Sequence, residues 1–497
     1  MKVVLAGFNV DTKTLKELSG DRKNNLLTPE TISAAYARIS RSPKSVTKLR
    51  DEARNEVAKA RQSNRRIIFE MSHHSIAEHA VFNFDIIGIS RLAVEEIEKH
   101  RLCSYTEKSQ RYVTFKGDYL IPEEIEEPLL LSQYKNIIDL QNNYYKELFK
   151  KLKVLNEKKF PDLMKDSRGK RQIENRAKED ARYILSLATQ TQLGATINAR
   201  NLELILRRFA SHRLKEVNNL GEELFRTVKK VAPSVILFYK ANDFDQKTYP
   251  ELKEHSKNLL KSNFKSKMGR LEDTELVDCT LNGDEKILSA ILFKTTKSNF
   301  THCLQTIKKM SGQEKLEIYK IACKYLELYD TVLREFELAR LTYSLVVSAG
   351  CFAQLKRHRI ATIITQDYDP DLGNTIPESI MDIGEEKKFF EIIEKTNRLY
   401  ERIERRYPGI GAYILTNSHR RRVLISLNLR ELYHISRLRE DQTAQWDIQL
   451  QVKKMSELAR RVLPITTALL CSKSDYPEFY YRLFNKYPKV TRVPSPG

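Results

Sequence analysis

Apolar and other residues alternate between Glu78 and Ile89, where Val81, Phe82, Phe84, Ile86 and Ile87 are set among Asn83 and Asp85. That pattern predicts a strand pair or a buried strand. From Ser90 to Lys99 the spacing turns helical. Thr28-Pro29-Glu30 predicts a further helix through Arg38, with Thr28 as N-cap, Pro29 at the first helical position and Glu30 in the first turn. Residues 178–230, 313–340, 386–405 and 428–463 are long and helix-patterned, so helices dominate, with a sheet expected in each half. Residues 240–275 are polar and poor in apolar positions, as a linker or a peripheral helix would be, which puts a domain boundary near residue 265.

The patterning also repeats. Pro29-Glu30-Thr31-Ile32-Ser33-Ala34-Ala35 is matched by Asp284-Glu285-Lys286-Ile287-Leu288-Ser289-Ala290, with Glu30 and Glu285 255 positions apart. Lys99-His100-Arg101 is matched by Arg357-His358-Arg359, 258 apart, and Asn198-Ala199-Arg200 by Asn428-Leu429-Arg430, 230 apart. The order is the same in both halves, which predicts a tandem duplication. The second copy is about 28 residues shorter where the first carries its lysine-rich 145–180 stretch. The domains are therefore placed at 1–240 and 275–497, joined by 241–274.

A chain of 497 residues is long enough for two cores, and 41% apolar with 30% charged residues is a globular composition. No run is long enough to span a membrane, and the apolar run at Met1–Gly7 is too short for a signal-peptide core, which predicts a cytoplasmic protein without a membrane partner. Six cysteines without C-x-x-C or zinc spacing suit a reducing compartment and read as packing residues. The net charge of +21 favours anionic or phosphorylated ligands. The basic residues are spread among acids, as in Asn156-Glu157-Lys158-Lys159, which describes a Lys/Glu-rich surface rather than a nucleic-acid patch.

After the first basic triplet, Ser104, Glu107, Ser109 and Arg111 crowd together beside Tyr105 and Tyr112. They offer hydroxyl and carboxylate partners for a base or sugar and an arginine fork for a phosphate, or else form a polar surface turn. Together with His73-His74-Ser75-Ile76-Ala77-Glu78-His79, Ser90-Arg91 and His100-Arg101, this run resembles the flavin-dependent thymidylate synthases, whose motif is R-H-R-x-x-S-x-N-E-x-S-x-R-Y; Thr106 stands in place of the Asn. The likeness continues through Glu179-Asp180-Ala181-Arg182 and Asn198-Ala199-Arg200. In the second half it covers Gln354 to Arg359, Asn428 to Leu432, Leu438-Arg439 and Ala444 to Ile448.

The resemblance implies an α+β fold in two tandem copies, helix-rich with a sheet in each. It implies methylation of dUMP to dTMP, with methylene-tetrahydrofolate as carbon donor, FAD as hydride carrier and NADPH as reductant. It also implies sites between subunits, here a homodimer forming a pseudo-tetramer of repeats. Carried over residue by residue, dUMP would meet Glu107, Ser109, Arg111, Arg182, Gln354 and Arg357, with Arg439 as the catalytic residue beside uracil. FAD would meet Ser75, Glu78, His100, Arg101, Asn198, Arg200, His358, Arg359, Asn428, Arg430 and His434.

Each copy departs from the motif differently. The first has Glu96 for Gln and Lys99 for Arg, and its closing helix, through Arg207-Arg208, fits only with a one-residue deletion. The second has Thr365, Asp367 and Asp369 for Glu, Ser and Arg, and Ala412 where the first has Arg182. An aspartate at a phosphate contact repels what arginine attracts. The intact parts are complementary, which predicts one composite site: loop and Arg182 from the first repeat, pocket and Arg439 from the second. Two other readings stay open. His73, His74, His79 and Glu78 could meet a metal ion, and the chain could be a catalytically inactive flavin- or nucleotide-binding scaffold.

Overall fold

The structure, a computed structural model, describes residues 1–18, 27–39, 42–113, 115, 117–263 and 272–492. It divides into two compact units, Met1–Lys267 with Glu378–Thr416, and Met268–Pro377 with Asn417–Gly497. The boundary expected near residue 265 falls outside the described residues. The segment before it is a helix, Asp243–Asn263.

In the first unit, β1 (Lys2–Phe8), β2 (Val81–Ser90), β3 (Ser104–Glu107) and β4 (Gln190–Asn198) form an antiparallel sheet in the order β1-β2-β4-β3. In the second, β5 (Thr274–Cys279), β6 (Arg340–Ser348), β7 (Thr362–Thr365) and β8 (Arg420–Asn428) repeat it as β5-β6-β8-β7. The chain is thus two tandem copies of one helix-rich fold with a sheet in each. Phe82, Phe84 and Ile86 of β2 are buried while Asn83, Asp85 and Ile87 are exposed, as the alternation predicts.

The register accounts for one position of the shifting repeat offset. Ile87 lies opposite Gln192 and Val346 opposite Arg422; one residue later in β2, Gly88 bulges out with φ of +73°, and Ile89 and Val347 then face Thr191 and Arg421. One inserted glycine, able to take a left-handed backbone, absorbs one position of the offset.

Helix starts are duplicated too. Ser90 caps Arg91–Glu98 by accepting from the Ala93 N–H at 3.0 Å, and its Oγ donates to Glu216 at 2.6 Å. Ser348 caps Ala349–Leu355 by accepting from the Cys351 N–H at 2.9 Å, and its Oγ donates to Asp447. The first sequence anchor is shifted by one. Glu30 accepts from the Ser234 N–H at 2.6 Å, and the residue doing the same work in the second unit is Asp284, which accepts from the Ile465 and Thr466 N–H groups at 3.0 and 2.9 Å, rather than Glu285.

Several predicted helices are shorter or broken. The 178–230 stretch contains β4, whose Leu193, Ala195 and Ile197 are buried at a period of two between flanking helices. The 313–340 stretch is helical only over Gly312–Cys323, with one 3₁₀ segment at Arg334–Leu338, and 428–463 is two helices, Leu429–Arg439 and Trp446–Val462. The first-repeat helix runs Glu30–Arg38 with Pro29 as its cap residue, while Thr28 Oγ1 accepts from the Glu30 N–H at 3.2 Å and donates to the Val231 carbonyl at 2.7 Å.

The compact units do not follow sequence order. The Glu386–Arg406 helix, from the second repeat, belongs to the first unit and packs on Pro128–Lys159. There Gln141 donates to Thr396 Oγ1 at 2.9 Å and to the Ile414 carbonyl at 3.0 Å. Among the described residues no helix is long and apolar enough to cross a membrane. All six cysteines are free, and five are buried.

Candidate functional site

In the first unit β3 delivers the polar loop. Glu107, opposite Leu193 in the ladder, is buried in an ion pair with buried Arg91. Ser109 Oγ accepts from the Arg111 N–H at 3.1 Å, and Arg111 pairs with Glu179. Arg182 is 3% exposed and donates through Nε to the Glu179 carbonyl at 3.3 Å. Burial lowers its pKa, and the cations Arg111 and Arg91 add to that shift. Four predicted dUMP residues, Glu107, Ser109, Arg111 and Arg182, therefore share one neighbourhood. Three guanidiniums there face two carboxylates, leaving an excess positive charge suited to a phosphate. Arg91 and Glu179 complete the cluster; both lie inside the motif runs, but only the fold gives them partners.

Two of the predicted flavin residues of the first unit, Glu78 and Arg200, are brought together. Glu78 and Arg200 form a half-exposed ion pair at 2.5 Å on a cleft of about 400 Å³ that also takes in His74, Leu102 and Phe238. Asn198 caps its helix by accepting from the Asn201 N–H at 2.9 Å, while Ser75 and Arg101 are exposed. His100 has its pKa lowered to about 4, by burial first and by Lys99 second, so its ring is neutral at pH 7. Glu96 is partly covered; although burial opposes it, Lys99 and His212 hold its carboxyl below the usual range. His79 packs edge-on against Tyr36 and His74 against Phe69, and among the described residues no group of three His, Cys, Asp or Glu side chains is placed to share a metal ion.

The second unit gathers the remaining residues. Arg439 Nε donates to His358 Nε2 at 2.9 Å, and His358 Nδ1 lies 3.8 Å from Glu431. Burial, reinforced by Arg439, lowers the His358 pKa well below the ordinary value, so the imidazole is a neutral acceptor and fixes the guanidinium. Burial raises Glu431 to about 7. Buried Gln354 donates to Gln445 Oε1 at 3.2 Å, while Arg357 is exposed and Arg359 is partly buried. Arg430 pairs with Glu337 at 2.9 Å and donates to the Val332 carbonyl at 3.0 Å. It shares a cleft of about 200 Å³ with Tyr329, His434, Arg437 and Lys473. Asn428 caps the helix by accepting from the Glu431 N–H at 2.8 Å. Glu337 was missed in the sequence; its signal is its place three residues before the central strand, as Glu78 is placed before β2.

The closing helices correct one expectation. Ala199–Phe209 and Leu429–Arg439 both have 11 residues and both start at a capping Asn, so no deletion is needed and Phe209 holds the position of Arg439. Phe209 is buried and meets His100 edge-on at 5.9 Å, where Arg439 meets His358. Arg207 and Arg208 instead pair with buried Asp245, each at 3.0 Å.

A family model described as "Thymidylate synthase complementing protein" matches residues 24–234 and again 275–465. A UPF0159 protein of Chlamydia muridarum is 26% identical over 401 residues, 77% of this chain and 75% of its own length. A UPF0159 protein of Thermoplasma acidophilum is 24% identical over 83% of this chain and 89% of its own length. A flavin-dependent thymidylate synthase of Clostridium tetani is 32% identical over 42% of this chain and 82% of its own length. Among solved structures, a thymidylate synthase X of Helicobacter pylori with FAD and dUMP matches at 18% identity with a TM-score of 0.30, over 50% of this chain and all of that one.

Proposed function

From the premise that this chain belongs to the thymidylate synthase complementing protein family, we propose that it methylates dUMP to dTMP at one composite site. The first repeat supplies Glu107, Ser109, Arg111 and Arg182, and the second supplies Gln354, Arg357 and Arg439. One observation carries the reading: each half retains what the other has lost. Arg439 is held on a neutral imidazole in the second unit, where the first has Phe209, and the Arg111–Arg182 cluster of the first has Asp369 and Ala412 as its counterparts.

Arg111 and Arg182 would hold the dUMP phosphate by guanidinium forks, at the cost of loosening the Arg111–Glu179 pair. Arg439, its direction set by His358, would stabilise negative charge developing on uracil and so enrich C5 as a nucleophile. Gln354 and Arg357 would orient the base and the dUMP backbone. Half-exposed Arg200 and Arg430, each braced by a carboxylate at the rim of a cleft, suit the phosphates of a dinucleotide. FAD would supply hydride transfer, with NADPH as reductant and methylene-tetrahydrofolate as carbon donor. A homodimer is the proposed assembly.

The second reading is a scaffold that binds nucleotide without turnover, and the altered residues in both halves, Glu96 and Lys99 in the first and Thr365, Asp367 and Asp369 in the second, are what favour it. Rescue of a thymidine-requiring strain by the wild-type gene, but not by Arg439→Ala, is the expected result. Failure to rescue, with dUMP and flavin still bound by the purified protein, would establish the scaffold.

A further inference from the structure

The two repeats keep the same loop in place with arginines from different elements. In the first unit, Lys108 follows β3; its N–H donates to the Gln192 carbonyl at 2.9 Å, and its own carbonyl accepts from Arg91 and from Thr191 Oγ1, both at 3.4 Å. Arg91, the first residue of its helix, also grips Glu107. In the second unit the equivalent rung is Gln366, whose N–H donates to the Arg422 carbonyl at 3.0 Å. Its carbonyl accepts twice from Arg421, from Nε at 2.9 Å and from Nη2 at 2.6 Å.

Arg421 stands in β8 where β4 has Thr191, and Ala349 stands where the first unit has Arg91. The donor has moved from helix to strand while its target carbonyl has stayed. The counter-charge has changed with it. Thr365 takes the place of Glu107, and the Arg421 guanidinium lies 4.7 Å from the Phe352 ring centroid and 4.3 Å from that of Tyr368. The first unit has Val94 and Gln110 at those two places. A cation between two aromatic faces, forked onto one carbonyl and only 9% exposed, is a finished interaction rather than a waiting one. Beyond it Asp369 lies 3.6 Å from Arg422, so the position that would approach a phosphate carries a carboxylate with its own cation.

We propose that Arg421 is a built-in plug: its guanidinium, seated between Phe352 and Tyr368, takes the role of Arg91 and closes the 362–369 loop on a side chain of the chain itself. The second loop is then a self-liganded support, as the first is through Arg91, and it is Asp369 in place of Arg111 that denies it an anion. The inference uses hydrogen bonds within the second unit alone, so it stands or falls apart from turnover of dUMP.

The test is amide hydrogen exchange over residues 362–369 in the full-length protein. Arg421→Ala should speed exchange there by about tenfold or more, with the first-unit loop at 104–111 unchanged. Arg421→Lys should not restore protection, because an ammonium cannot fork onto the carbonyl while lying between two rings. Guanidinium ion added at non-denaturing concentration should slow exchange in Arg421→Ala, whereas ammonium should not. Exchange within about twofold of the parent in Arg421→Ala, or an equal effect from Arg422→Ala, overturns the proposal. Should Arg421→Ala not fold, the combination Arg421→Thr, Ala349→Arg and Thr365→Glu rebuilds the first-repeat arrangement. Parent-like protection in that variant supports the plug, and fast exchange in it, or failure to fold, counts against it.

Discussion

Arg439 and Phe209 end two helices of equal length that start at equivalent asparagines, so what separates them is one side chain on the same turn. A guanidinium there can act on a pyrimidine; a buried phenyl ring cannot. Arg439→Ala and Arg111→Ala should therefore each abolish dUMP binding by titration calorimetry, while Arg208→Ala and Asp369→Ala change it less than about twofold. Arg208 is engaged with Asp245, so its loss should register as a small stability change, and equal damage to dUMP binding from Arg208→Ala would contradict the assignment. The His358–Glu431 neighbours give a second residue-scale expectation. The lowered His358 pKa makes the folded state lose stability as pH falls below 6.5, where the unfolded imidazole takes up a proton that the folded one refuses. Glu431, raised from 4.5 to about 7, acts in the opposite sense: its contribution is lost as pH rises across that window, because only the unfolded carboxyl ionises freely. Urea denaturation against pH should show Glu431→Gln gaining stability relative to the parent between pH 5 and 7, with no gain near pH 4.

At the scale of elements, the serine caps bear the most weight. Ser90 satisfies a helix end and, with Tyr413 at 2.9 Å, supplies donors to buried Glu216, whose pKa is raised by burial despite them. Ser90→Ala removes a cap worth about 1 kcal/mol and one donor to a buried carboxylate worth about 1–3 kcal/mol more. A loss of about 2–4 kcal/mol in urea unfolding is expected, and a loss under 0.5 kcal/mol would mean that neither interaction holds the helix. Elements also mark how far the sequence could be read. β2 was legible because Phe82, Phe84 and Ile86 alternate with polar neighbours. β4 was not, because Gln190–Asn198 carries Gly194 and small Ala195 and lies between helices whose longer period dominates any wide window. Of the candidate site, Arg111 and Arg182 are singled out in the sequence by resemblance to the family motif. The pairings of Arg91 and Glu179 depend on which strands and helices meet and leave no local pattern, while Glu337 becomes readable only once the start of its strand at Arg340 is known.

For the whole molecule, the question is whether the loop of one repeat serves the pocket of the same chain. Covalent linkage of two repeats favours pairing within the chain over pairing between chains wherever the linker lets a loop reach its own chain's pocket. Mixing subunits separates the two arrangements. Arg111→Ala and Arg439→Ala chains, unfolded together and refolded, form every combination of subunits. If each site draws on a single chain, no combination restores a complete site, and the mixture should be as inactive as its parents. If sites draw on two chains, half of the random dimers hold one site with both substitutions and one with neither, and about a quarter of wild-type activity returns. The expected outcome is no recovery, together with a flavin-to-chain ratio near one. Recovery toward a quarter would place the composite site between chains and make the dimer a requirement for activity.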